Sequence, residues 1–189
     1  MPTTVLQQTG TQLCFCDAAG DFSPTAANDL RTGTPTNVQL SMASVGDGAA
    51  RQSAKVDFGE HRARQWSARG ALELALTPTS GDLIYCYISW SDESTATDGN
   101  PGGASGSDAA YTGTTGDTMA NSVKQLDPIG VFCCTNDATT TVQISEIGIF
   151  TPKARYGCLV VRNESGAAIH SDDVECHIVL APLEDEIQN

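Results

Sequence analysis

"LIYCYISW", residues 83–90, is the stretch whose reading decides the fold. It is apolar and aromatic on both faces, as a central strand of a sandwich must be when side chains alternate across the sheet. Directly after it comes "WSDESTATDGNPGGASGSDAAYTGTTGDTMANS", Trp90 to Ser122, a run of small and polar residues without one basic side chain. Structureless loops beyond ~15 residues are usually functional or disordered. The composition offers little apolar area for packing on its own fold. Past Trp90, Tyr111 and Met119 are its only large side chains and are expected as anchors for a neighbouring subunit. Residues 91–122 are thus read as a flexible solvent loop or an intersubunit arm.

Beyond that loop, "IGVFCCT" (129–135), "TTVQISEIGIF" (140–150), "RYGCLVVRN" (155–163) and "VECHIVLAP" (174–182) follow at short, even spacing. Asn, Asp and Gly between them suit tight turns. Upstream, "QWSARGALELAL" sets Trp66, Ala68, Gly70, Leu72, Leu74 and Leu76 on one face, and "VQLSMASV" (38–45) alternates in the same way. Pro78 and the period of two favour strand over helix for the former. These patterns predict an all-β chain, an antiparallel β-sandwich or jelly roll of about eight strands. "SPTAANDLR" (23–31) is the one expected short helix, with Ser23 as cap and Pro24 in the first turn. With 189 residues and no internal repeat, a single domain over 1–189 is expected, with residues 1–12 as an extended N-terminal arm.

Ten Lys and Arg stand against 23 Asp and Glu, a net charge of −13. That field repels nucleic acid and anionic membranes, so neither is expected as a partner. Arg51, Lys55, Arg62, Arg64 and Arg69 cluster in sequence, diluted by Asp57 and Glu60. They suit docking on an acidic protein partner, or else form a solvated run of charge beside a strand. "MPTTVLQQTG" lacks the basic and apolar regions of a signal peptide, and no stretch reaches the ~18 apolar residues that span a bilayer. Synthesis in a cytoplasm is the expectation, and seven cysteines, an odd number, argue for reduced thiols.

No pattern for chemistry emerges. Cys14 with Cys16, Cys133 with Cys134, and Cys176 with His177 lack the paired spacing of structural zinc sites; buried cysteines acting as small hydrophobes explain Cys86, Cys134 and Cys158. His61, His170 and His177 have no flanking nucleophile signature. "DESTATDGN" (92–100) gathers Asp92, Glu93, Asp98 and Asn100 without the ordered pattern of a calcium loop. "GNPGGASGS" (99–107) lacks the lysine of a phosphate loop. Neither enzyme activity, nor a metal, nor a cofactor is expected.

The C-terminal stretch "IFTPKARYGCLVVRNESGAAIHSDDVECHIVLAPLED" resembles the ending of small β-rich virion proteins of tailed double-stranded DNA bacteriophages. The likeness rests on Arg155 and Tyr156 in an aromatic strand, the turn at Asn163, Ser165 and Gly166, and a last strand ending in Pro182. It implies a non-enzymatic capsid decoration (cement) protein on the outer surface of the virion. Such a protein binds the major capsid protein, often as a trimer, and bridges neighbouring subunits. The expected partner-binding residues are then Arg51, Lys55, Arg62, Arg64, Arg69, Tyr111 and Met119. A head-to-tail or tail component shares all these features. A β-sandwich carbohydrate- or receptor-binding module is the rival from another class, with Tyr111 and Trp90 as its candidate contacts.

Overall fold

The computed structural model describes residues 10–60 and 63–183. Its strands are β1 (Leu13–Cys16), β2 (Thr36–Gln39), β3 (Ala50–Gln52), β4 (Val56–Asp57), β5 (Gln65–Glu73), β6 (Leu83–Ser91), β7 (Ala109–Ala110), β8 (Asp127–Cys133), β9 (Val142–Phe150), β10 (Tyr156–Glu164) and β11 (His177–Leu183). One helix of a single turn, α1 (Met119–Ser122), lies between β7 and β8. The first sheet runs β2-β1-β11-β5-β9 and the second β7-β3-β10-β6-β8, with β4 beside β10.

The pairing is nested. β1 pairs with β11, β3 with β10, β5 with β9, and β6 with β8, all antiparallel. A chain paired in this way is one long hairpin folded over on itself, which makes these eight strands a jelly roll. The short β2, β4 and β7 are additions to it, and β2 runs parallel to β1. β6 lies in register with β10 along its whole length, from Leu83 against Glu164 to Ser91 against Tyr156. That is the central position its two-sided apolar sequence requires.

The core lies between the sheets. β5 sends in Trp66, Ala68, Leu72 and, just past its end, Leu74; β6 sends in Ile84, Cys86, Ile88 and Trp90; Phe132, Leu159, Val161, Ile178 and Leu180 meet them. Gly70 takes the inward place between Ala68 and Leu72, and a Cβ there would stand 2.9 Å from the Phe132 ring. The expected alternation fails at Leu76, which is 63% exposed, because the strand has already ended at Glu73.

Two other expectations need correction. Only Thr36–Gln39 of the region around "VQLSMASV" is strand. The chain beyond stays extended, with Leu40 and Met42 still inward, because its N–H groups find acceptors outside a ladder: Leu40 donates to Cys16 O, and Met42 and Ala43 donate to the Asp173 carboxylate. Residues 23–31 form no helix. Thr25 N–H donates to Glu175 and Leu30 N–H to His177, so residues around β11 hold the segment open. Tertiary hydrogen bonds thus override helix-start chemistry. The expected N-terminal arm, 1–12, falls mostly on residues 1–9, outside the described residues.

Two bulges meet where β8 and β9, the edges of the two sheets, converge. The register shifts near Ile129 in β8 and Ile147 in β9, and both side chains are buried. Gly130 there has φ 146°, and a Cβ would lie 1.9 Å from Ile147 O. Only glycine fits both the backbone and the gap. Gly130→Ala is expected to lower unfolding free energy by about 2 kcal/mol or more; a urea midpoint equal to wild type would refute this.

Candidate functional site

The long loop is built onto the molecule, and its cations come from elsewhere in the chain. Lys55, just before β4, donates from Nζ to Ser91 Oγ (3.2 Å) and to the carbonyls of Glu93 (3.0 Å), Thr95 (2.7 Å) and Asp98 (2.8 Å). The acidic stretch 92–100 therefore gathers main-chain oxygens around an ammonium group. Arg51 on β3 binds Asp108 at 2.7 Å, and that bond raises the guanidinium pKa. Gln52 accepts from Ser105 N–H at 2.8 Å, and Lys55 N–H donates to Gly106 O. Asn100 ties Ala96 O to Ala104 O through its Nδ2.

The loop also carries a small core. Ala104, Tyr111, Val123 and Leu126 pack on Ala50 and Val160 of the second sheet, with Met119 and Tyr87 alongside. Tyr111 is 2% exposed and donates its hydroxyl to Gly102 O at 2.5 Å. Thr118 caps α1 by accepting from Asn121 N–H. Loop and strand residues thus supply one another's partners, which corrects the expectation of a free loop or an arm. Tyr111 and Met119, expected to anchor a neighbour, are engaged within the chain. Trp90, expected as an exposed aromatic, is buried against Phe58 and Phe150 and donates to Asp127.

The basic residues do not form one patch. Arg51 and Lys55 lie under the loop on the second sheet's side, whereas Arg69 on β5, in the first sheet, pairs with Glu146 at 2.8 Å. Arg64 is exposed, and Arg62 and His61 lie outside the described residues.

Among the described residues, groups suited to chemistry are mostly enclosed. All seven cysteines are free, and only Cys133 is exposed. Burial pushes the thiols of Cys86 and Cys176 up to about 12 and those of Cys134 and Cys158 to about 11, which leaves them protonated and inert. His170 sits 3.7 Å from Glu73, and His177 is fully buried with both ring nitrogens hydrogen-bonded. Asp17, Asp21 and Asp173 bring their carboxylates within 4.8 Å of one another, the spacing of a metal-ligand set. Two of them already serve as acceptors: Asp173 for Met42 and Ala43 N–H, Asp17 for the Gln39 amide.

Large apolar side chains are also open on the surface. On the outward face of the first sheet, Ile149 is 64% exposed, Ile144 44% and Leu183 38%. Register sets Ile149 beside Ser67, which has Ala181 of β11 on its other side, Ile144 beside Ala71, and Leu183 beside Gln65. The Arg69–Glu146 pair lies between the two isoleucines. Sequence reasoning passed over this strip because the bulge at Ile147 reverses the alternation within β9. No protein-family model and no curated protein sequence matches the chain.

Lys55→Met keeps the side-chain bulk and removes the ammonium. It is expected to destabilise the fold by about 2 kcal/mol and to make residues 92–108 a site of limited proteolysis. Resistance equal to wild type would mean that the oxygens need no cation.

Proposed function

We propose that this chain is a non-enzymatic structural protein of a virion: a decoration (cement) protein that binds the outer capsid shell of a tailed bacteriophage and bridges neighbouring major capsid subunits, working as a homo-oligomer. The observation that carries this reading is the strip of Ile144, Ile149 and Leu183 on the body of an otherwise strongly acidic protein. Fully burying side chains of this kind is worth ~1.5–3 kcal/mol each. Repeated over several copies on a shell, contacts of that size give durable attachment through multivalency.

The jelly-roll connectivity agrees with the reading, since capsid proteins use it, though lectins and cupins do as well and a fold alone assigns no function. The placement of the cations shifts the expected contact surface. Arg51 and Lys55 are held within the chain, so attachment through the first sheet would rest on apolar contact more than on charge. It would therefore depend weakly on salt.

Sedimentation of the protein with purified phage shells tests the proposal. Wild type should pellet at a fixed ratio to the major capsid protein. Ile149→Lys should weaken binding by about 10- to 100-fold, equivalent to 1.4–2.8 kcal/mol, with the circular dichroism spectrum unchanged. Wild type left in the supernatant would remove the decoration role; equal pelleting of the Lys variant would move the contact surface off the strip.

A further inference from the structure

We propose that residues Phe22–Arg31 form an acid-released strap, latched on His177, that covers the thiols of Cys14 and Cys16 and uncovers them when His177 takes up a proton. Phe22 and Leu30 of the strap pack on Cys14, Cys16 and Val179 on the outward face of β1 and β11. Cys14 lies beside Val179 in the β1–β11 register. The strap lies over both thiols, on a face that sheet geometry would otherwise give to solvent.

The latch is one imidazole. Leu30 N–H donates to His177 Nε2 at 3.1 Å, so Nε2 must carry a lone pair. Nδ1 lies 2.8 Å from Glu175 O and can only donate to it. Both nitrogens are therefore committed, and the tautomer follows from the two partners. A proton arriving at Nε2 would set N–H against N–H and leave the half-buried Leu30 amide without its acceptor. Letting the strap go relieves that conflict, against the ties of Thr25 and Asn28 to Glu175 and of Ser23 N–H to Val174 O at 2.9 Å.

Other charged groups around His177 do not remove the conflict. On the strap, Asp29 and Arg31 bind each other at 2.8 Å, and Arg31 lies over the Phe22 ring. Phe22 presents its ring to His177 in an edge contact at 5.3 Å. Glu175, next to β11, accepts from Thr25 N–H and Asn28 Nδ2 and so forms a second tie to the strap. β1 contributes Cys14 and Cys16, and β5 sets Ala71 opposite His177 with Glu73 two residues further on. The bond to Arg31 holds Asp29 below the usual carboxylate range, and the bond from Thr25 N–H does the same for Glu175. Those carboxylates remain charged where a histidine titrates.

Burial is the main cause lowering the His177 pKa. The folded value thus lies below the unfolded value of about 6.5. Latch stability is fully present above that unfolded value and is lost as the pH falls through the folded one.

The test uses the full-length protein and a pyridyl disulfide reagent, with modified cysteines located by mass spectrometry. Exposed Cys133 in the same molecule is the reference for the intrinsic pH dependence of thiol reactivity. The labelling rate of Cys14 and Cys16 relative to Cys133 should stay level from about pH 7.5 to about pH 6.5 and rise by up to about tenfold from about pH 6.5 to about pH 5.5. Cys86, inside the core, should stay unlabelled. His177→Gln keeps an acceptor but cannot be charged, and should abolish the rise; Glu175→Gln should retain it. A flat ratio in wild type, or the same rise in His177→Gln, would overturn the proposal. Should His177→Gln fail to fold, amide exchange in wild type decides: the Phe22–Arg31 peptide must lose protection in acid while the β6 peptide keeps it, and equal behaviour of the two would overturn the strap.

Discussion

The ammonium group of Lys55 stands inside a ring of loop oxygens, and the outer face of the second sheet depends on that contact. Without it, the carbonyls of Glu93, Thr95 and Asp98 would point at one another across a turn with nothing between them. With it, the loop folds back across β3 and β10, where Tyr111 and Leu126 can close over Ala50 and Val160. A chain with ten cations and 23 carboxylates has few such contacts to distribute. Arg51 serves Asp108, Arg155 serves Asp57, Lys153 serves Asp127 and Arg162 serves Glu164. A loop this long without a basic residue is possible because the neighbouring strands supply its positive charge.

Much of the sandwich was legible because its long strands carry period-two patterns that tertiary contacts reinforce. β6, β10 and β11 are apolar on both faces, and each has a strand on either side of it. β5 alternates and shows its polar residues to the outside. The legible part ended where pattern and hydrogen bonding separate. β3, β4 and β7 have two or three residues each, too few to show a period. Leu40 and Met42 keep the inward parity of a strand without belonging to one, since Asp173 supplies the acceptor that a neighbouring strand would. The Ser23–Arg31 segment has a helix cap and a first-turn proline, yet a histidine and a glutamate some 150 residues away decide its shape.

The candidate surfaces were less legible, for a related reason. Charge that is clustered in sequence need not be clustered in space: residues 51 and 69 lie on opposite sheets because successive jelly-roll strands cross from one sheet to the other. Tyr111 looked unpartnered because its partners, Gly102, Val123 and Val160, lie at unrelated distances along the chain. The isoleucines of β9 could not be assigned to a face from parity, because the bulge at Ile147 changes parity midway.

A two-layer sandwich has two outer faces, and this chain covers parts of both with its own segments. The loop closes over β3 and β10 on the second sheet. The Phe22–Arg31 segment closes over β1 and β11 on the first, pinned by His177 and Glu175. Both covers lie over apolar strand residues: Val160 under one, Cys14 and Val179 under the other. Among the described residues, the β5–β9 part of the first sheet has exposed isoleucines of the same character and no such cover. Burying Ile144 and Ile149 is as favourable as burying Val160 or Val179, so a chain that covers the one kind and leaves the other bare leaves a surface that a second protein can cover.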